Sequence, residues 1–224
     1  MGNTTVAGLT GLVLTLNGER LLDRCLASLD ICERVLVVDS LSNDRTVEIV
    51  RAHGASVVPR AWEGPLPQFR FALEQIQAGW VLSLDQDECL SDVLRSQILT
   101  LFENRSRLEG LAGFYCPRRS FYFDRYLRHS GWYPDYLLRL FRHGACEAQA
   151  SGPHYSFKAN GPTERLSGHI LHHPYADLHE HLAKINYYTQ TAAKDLHTRG
   201  RRGGALLGLG HGLARFLKIY LVKR

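Results

Sequence analysis

The first hundred residues alternate short, continuous apolar runs with segments of helical period. That rhythm admits little besides a parallel sheet wrapped by helices. "GLTGLVLTLN" closes on Asn17, "ERVLVVDS" on Asp39 and Ser40, "ASVVP" makes a third run, and "WVLSL" a fourth that leads into Asp85. Between them, "GERLLDRCLASLD" spaces Leu21, Leu22, Cys25, Leu26 and Leu29 helically. "SNDRTVEIVRAHG" has cap residues in front and Gly54 as its stop, and "PLPQFRFALEQIQAG" makes a third helix. Asn17 reads as the N-cap of the first helix. Uninterrupted apolar runs suit strands covered on both faces. Ligands of such sheets sit beyond the carboxyl ends of the strands, where Asp39 and Asp85 lie.

The pattern changes after about residue 110. "GLAGFYCPRRSFYFDRYLRHSGWYPDYLLRLFRHG" is rich in aromatics and arginines and reads as strands and loops, and "FKANGPTERLSGHILHH" holds a further strand. A helix resumes at Asp177 with Leu178, Leu182, Ile185, Ala192 and Leu196 on one stripe. "TRGRRGG" interrupts it before an apolar, basic tail. With 224 residues, 45% of them hydrophobic, the chain suits one domain with a small appendage.

The formal charge of +5 favours anionic partners without choosing among them. The five cysteines are odd in number, and none are paired at metal-ligand spacing, so free thiols in a reducing compartment are expected. "MGNTTVAGLT" has no long apolar region of a secretory signal, and Val6 breaks an acylation signal. No run reaches the roughly 18 apolar residues of a membrane-crossing helix. "GLGHG" follows no strand and is not read as a phosphate loop. His169, His172 and His173 fit no zinc spacing.

"WVLSLDQDECLS" crowds Asp85, Asp87 and Glu88 at the tip of an apolar strand. In extended chain, residues two apart project to the same side, and like charges held together call for a cation. Hard oxygen donors suit Mg²⁺ or Mn²⁺, and such an ion neutralises a leaving diphosphate. The bland alternative is that the acids cap the next helix, "CLSDVLRSQILTLF", a role that suits Glu88. Spacing alone leaves both open for Asp85 and Asp87.

Taken in order, "LVLTLNGERLLDRCLASL", "VLVVDSLSNDRTVEIVRAHGA", "WVLSLDQDE", "GWYPDYLLRLFR" and "LHHPYADLHEHLAKINYY" resemble a family 2 glycosyltransferase of the GT-A fold, and are similar to its bacterial lipopolysaccharide-core β-glucosyltransferase branch, over about residues 8–190. The resemblance implies an α/β fold with a mostly parallel central sheet flanked by helices and a C-terminal helical extension. It divides the chain into a transferase domain over 1–198 and an amphipathic basic tail over 199–224. Within the domain, about 8–110 would bind nucleotide and about 111–176 acceptor.

The resemblance also implies roles. Thr15, Asn17 and Glu19 would line the nucleotide pocket, with Leu16 and Gly18 standing where the family has Tyr and Glu. Asp39 would contact the base, and Arg70, in a segment where Phe69–Arg70 replaces Lys–Asn, would bind diphosphate. Asp85 would meet ribose or bound water, Asp87 would hold Mg²⁺ or Mn²⁺ with help from Asp85, and His172 would complete the metal shell. Trp132 and Tyr133 would stack on acceptor sugars, while Arg118, Arg119, Arg125 and Arg128 would meet acceptor phosphate. Tyr155 stands where the family has a Glu that serves as base, and a phenol with a pKa of about 10 is a poor base at neutral pH. Asp135 and His154 are therefore the candidate catalytic bases, with Glu147 behind them; Asp135 also suits a plain turn after Pro134.

The activity implied is inverting transfer of a hexose from a nucleotide-diphosphate sugar, UDP-glucose favoured, to a glycan or lipid-linked acceptor in envelope polysaccharide or lipopolysaccharide synthesis. The alternatives are a catalytically silent homologue that binds nucleotide-sugar or glycan, and a nucleotidyltransferase. The aromatic and arginine block could also suit single-stranded nucleic acid, but the resemblance assigns it to acceptor, and no nucleic-acid partner is expected. A cytoplasmic location is expected, peripheral at the inner face of the membrane through the tail.

Overall fold

The computed structural model describes residues 5–151, 154–201 and 203–222, with only the backbone of Ser151, His154 and Val222. The chain runs β1 (Val6–Thr15), α1 (Leu22–Ser28), β2 (Cys32–Asp39), α2 (Thr46–Ala52), β3 (Ser56–Pro59), α3 (Pro65–Glu74), β4 (Trp80–Asp85), β5 (Glu88–Leu90) and α4 (Asp92–Glu103). It continues as β6 (Gly113–Tyr122), β7 (Arg125–Tyr126), β8 (Asp135–Arg142), β9 (Cys146–Ser151), β10 (His154–Ala159), β11 (Thr163–Arg165), β12 (Ile170–His172), α5 (Leu178–Thr198) and α6 (Ala205–Leu217).

The main sheet has the order β3-β2-β1-β4-β8-β6-β12-β5. Its first four strands are parallel. Strand β8 enters antiparallel between β4 and β6, β12 lies parallel to β6, and β5 returns antiparallel on β12. A separate hairpin pairs β9 with β10. The alternation of strand side chains sorts the core into two layers. Leu9, Val13, Val37, Leu82 and Leu84 pack with α1 and α4. Leu12, Leu36, Val38 and Val81 pack with Phe69 and Ala72 of α3 and with Phe157 of the hairpin.

Local chemistry ends the elements. Ser91 Oγ accepts from Leu94 N and caps α4, so the capping role suggested for Glu88 belongs to Ser91; Glu88 is buried in β5 instead. Helix α1 starts at Leu22, with Leu21 rather than Asn17 at its cap. Asn17 is in the left-handed region at φ 49° and turns its side chain elsewhere. Gly168 approaches α4 so closely that a Cβ would lie 2.4 Å from the Leu94 backbone.

Helix α5 follows the expected apolar stripe, but none of its residues is buried, and the same holds for α6. Leu178, Leu182, Ile185 and Leu196 are exposed. No helix among the described residues is long and apolar enough to cross a membrane.

Candidate active site

Strands β1, β2 and β4 end side by side, with Thr15 opposite Asp39 and Leu14 opposite Asp85. The loops after β1 and β2 are zipped together. Asn17 N donates to Ser42 Oγ at 2.8 Å, and Asn43 N donates back to Asn17 Oδ1 at 3.0 Å. Gly18 N donates to Thr46 Oγ1, Glu19 N to Asp44 Oδ2 and Arg45 N to Glu19 Oε2. Burial of Asp44 is outweighed by hydrogen bonds from Thr46 and Glu19, which hold its carboxyl below the usual range. Asp39 is buried and accepts both Ser42 N and Ser42 Oγ. Gln68, also buried, braces the same loop through Ser40 Oγ. These polar groups fix a rigid ledge at the carboxyl ends of β1 and β2.

Gln86 accounts for one departure from the family pattern. Thr15 Oγ1 and Leu16 N donate to its Oε1, and its Nε2 donates to Leu16 O. A Cβ at residue 18 would lie 2.6 Å from Gln86 Oε1 and 2.8 Å from Thr15 Oγ1. Glycine at 18 leaves room for that amide.

The acids part company after β4. The strand ends at Asp85 and the chain turns, so Asp85 and Asp87 do not project as a pair from one extended strand. Both still line one cleft of about 840 Å³, within the ~300–1,000 Å³ usual for ligand sites. Asp85 belongs to a buried charge network. Arg139 Nη2 donates to Asp85 Oδ2 at 2.8 Å and to Glu88 Oε1 at 3.1 Å, and Arg139 Nη1 donates to the Tyr155 hydroxyl, which donates to Asp85 Oδ1. Arg118 bridges onward from Glu88 (3.1 Å) to Asp135 Oδ2, which it grips through Nε at 3.0 Å and Nη2 at 2.8 Å. Arg118 and Asp135 face each other in the β6–β8 register.

Burial alone would raise the Asp85 pKa, but the Arg139 guanidinium wins and holds it at about 2. Burial pushes the Tyr155 hydroxyl well above its ordinary value, against the pull of Arg139. Tyr155 therefore stays protonated and serves as a donor to Asp85, which removes it further from a base role. No local pattern marks Glu88, Arg118 and Arg139 as a network, because their contacts span 16 to 54 residues.

Asp87 goes to the other side. Its Oδ1 lies 3.6 Å from His172 Nε2, while Ser120 Oγ shares a 3.0 Å hydrogen bond with His172 Nδ1. Among the described residues no three His, Cys, Asp or Glu side chains gather to hold a metal. A carboxylate and an imidazole whose second nitrogen is braced still suit one divalent cation, with the remaining positions left to water and diphosphate oxygens.

The other candidates divide by position. Trp132 lines the cleft, 39% exposed. Tyr133, joined to Pro134 by a cis peptide bond, is set back: its hydroxyl shares a 3.0 Å hydrogen bond with His169 Nε2, and its ring meets Tyr126 edge-on. Arg70 is apart from the site, because α3 turns Gln68 and Phe69 inward and leaves Arg70 exposed at a different hollow, beside Glu74, His143 and Glu147. Glu147 lines that hollow and not the cleft. The side chain of His154 lies outside the described residues.

The sequence profile described as "Glycosyl transferase family 2" matches residues 12–158. The "Lipopolysaccharide core biosynthesis glycosyltransferase LpsC" of Rhizobium meliloti (strain 1021) is 28% identical over 206 residues, covering 87% of this chain and 73% of that protein. "Uncharacterized glycosyltransferase RT0209" of Rickettsia typhi is 26% identical over 242 residues, covering 95% and 76%. Among solved structures, S. aureus TarS 1–349 in complex with UDP-GlcNAc aligns at a TM-score of 0.43 and 21% identity, over 55% of this chain and 37% of that one. Glucosyl-3-phosphoglycerate synthase from Mycobacterium tuberculosis, in complex with Mn²⁺, UDP-glucose and phosphoglyceric acid, aligns at 0.38 and 22% identity, over 51% and 43%. This chain spans about two fifths of the length of these two solved structures.

Proposed function

The chain belongs to glycosyl transferase family 2, and from that premise we propose that it moves a hexose from a nucleoside-diphosphate sugar, UDP-glucose first among donors, to a glycan or lipid-linked acceptor of the bacterial envelope, with inversion at the anomeric carbon. The observation that carries this reading is one cleft lined by the Asp87–His172 pair and by Arg118, whose guanidinium grips Asp135 beside it. The LpsC relative, named for lipopolysaccharide core biosynthesis, supports the acceptor class.

In this mechanism the nucleoside rests on the ledge of Thr15, Asn17, Glu19 and Asp39. Asp87 and His172 would hold Mg²⁺ or Mn²⁺, which would supply positive charge to the diphosphate. Asp85, fixed by Arg139 and Tyr155, faces the ribose. Asp135 takes the proton of the acceptor hydroxyl as its oxygen bonds to the anomeric carbon. The carbon–oxygen bond to the diphosphate breaks on the opposite face, and its electron pair leaves on the diphosphate. Arg118 sets the carboxylate's direction, and Trp132 offers a face for the acceptor sugar. The test is calorimetric titration with UDP, GDP, CDP and ADP, each with Mn²⁺ and with EDTA, followed by turnover with the sugars of whichever binds. Metal-enhanced binding of one diphosphate and release of that diphosphate on turnover are expected. Asp87→Ala should lower kcat/KM at least ~100-fold with an unchanged circular dichroism spectrum; full activity in that variant overturns the metal assignment.

A second reading is favoured by Asp85, whose two oxygens are engaged by Tyr155 and Arg139. It is a silent homologue that binds nucleotide-sugar without turning it over. Binding with no diphosphate release across donor and acceptor panels would establish it in place of the transferase.

The tail suits an anionic membrane surface. Leu206 and Leu209 are 86% and 71% exposed. Residues 199–224 include Arg199, Arg201, Arg215 and Lys218 and no acid. Apolar insertion joined to lipid attraction is the expected mode, and co-sedimentation with phosphatidylglycerol vesicles but not with phosphatidylcholine vesicles tests it.

A further inference from the structure

Three fixed cations stand among the described residues lining the cleft: Arg118, Arg139 and Lys184. The two arginines are committed to Glu88, Asp85 and Asp135. Lys184 comes from α5, a helix with no buried residue, so apolar packing does not explain its place there. Polar contacts do. Glu180 closes the helix start by accepting from Ala176 N at 2.6 Å, and it lies 3.9 Å from Arg20. His181 Nδ1 shares a 3.0 Å hydrogen bond with the Tyr122 hydroxyl, at the end of β6. The first turns of α5 are thus fixed to the sheet by charge and hydrogen bonding.

Lys184 Nζ donates to the Pro174 carbonyl, lies 3.0 Å from Glu180 Oε1 and sits 5.2 Å above the Tyr175 ring. Pro174 is two residues past His172, the partner of Asp87. An ammonium has three donors. The carbonyl and the carboxylate take two, both beside the end of β12 where the carboxylate–imidazole pair lies.

We infer that Lys184 is a leaving-group contact: its ammonium binds the diphosphate of the donor and receives the negative charge that develops there as the bond to the anomeric carbon breaks. The inference rests on the transferase reading and adds to it a positive charge that belongs to the chain itself. In this arrangement Lys184 from α5 meets the diphosphate, with Glu180 aiming the ammonium, and Asp87 and His172 would hold a divalent cation beside it.

The experiment uses the full chain and the nucleoside diphosphate that binds best among UDP, GDP, CDP and ADP. Affinities for that diphosphate and for the corresponding nucleoside monophosphate are measured in EDTA for wild type, Lys184→Gln and Lys184→Arg. Lys184→Gln should weaken the diphosphate roughly 10- to 100-fold, the range of a charge-assisted hydrogen bond, and should change the monophosphate far less. Lys184→Arg should restore most of the loss. In turnover, kcat should fall in Lys184→Gln by more than KM rises, with the melting temperature unchanged. Wild-type diphosphate affinity and turnover in Lys184→Gln would overturn the inference while leaving the transferase reading intact. A wild-type protein that binds no nucleoside diphosphate would overturn both.

Discussion

Asp135 and Asp85 are carboxylates on one network, and their surroundings give them different work. Asp135 is gripped through one oxygen by Arg118, which lines the cleft, and its own side chain is 35% exposed. Asparagine there would preserve size and lose the proton acceptor. Asp135→Asn should lower kcat by ~10²–10⁴-fold, the usual share of a general base, with KM nearly unchanged; a wild-type kcat would return the base role to another residue. Asp85 is held at about pKa 2 because Arg139 outweighs its burial. Its folded value is depressed below the unfolded one of about 3.9, so its stabilising contribution is complete above pH ~4 and is lost as pH falls toward 2. Acid melting of wild type should therefore steepen between about pH 4 and pH 2. Asp85→Asn should flatten that part of the profile, and an identical acid limb in the variant would show that Asp85 does not carry it. Strand-end acids were legible because an apolar run that stops on Asp is conspicuous. The arginines that neutralise them were not, since composition rules place arginine outside and Arg139 is only 3% exposed.

Among elements, β1, β2, β4 and α1 to α4 were readable from apolar runs and helical period, for each buries a run or a stripe, while β3, at the sheet edge with no buried residue, was marked only by its short apolar run. Boundaries were less so. Asn17 has the chemistry of a cap but serves the loop zipper, and that choice is made by Ser42 and Asn43, which are distant in sequence. Beyond residue 110 the strands carry inward polar residues such as Ser120 and Arg139, which disguise their alternation. Glycine at 168 belongs to this scale, because it sets how closely the segment before β12 meets α4. A methyl group would collide with the Leu94 backbone, which has no flexible end to yield. Gly168→Ala should cost roughly 1–3 kcal/mol, read as a lower denaturation midpoint. Gly18→Ala meets only the flexible end of Gln86 and Thr15 Oγ1 and should cost less. Equal midpoints for the two variants would refute this ranking.

For the molecule as a whole, the two core layers lie on the sheet, and α6 adds no buried residue to either. Removal of residues 199–224 should leave the melting temperature within a few degrees and preserve nucleotide binding, while abolishing vesicle co-sedimentation; a large loss of melting temperature would place the tail in the folding unit. All five cysteines are free and buried, as the spacing suggested. The strand order has a further consequence for biosynthesis. Trp80, Val81 and Leu82 of β4 pair with Arg142, Phe141 and Leu140 of β8. A nascent chain on the ribosome therefore completes the four parallel strands while one apolar border of them still has no neighbour. About sixty codons must be translated before β8 arrives, roughly 3–12 s at 5–20 residues per second. During that interval the border is open to pairing with other chains, so slower synthesis would lengthen the exposure, and a chaperone that shelters bare strand edges would raise the soluble yield.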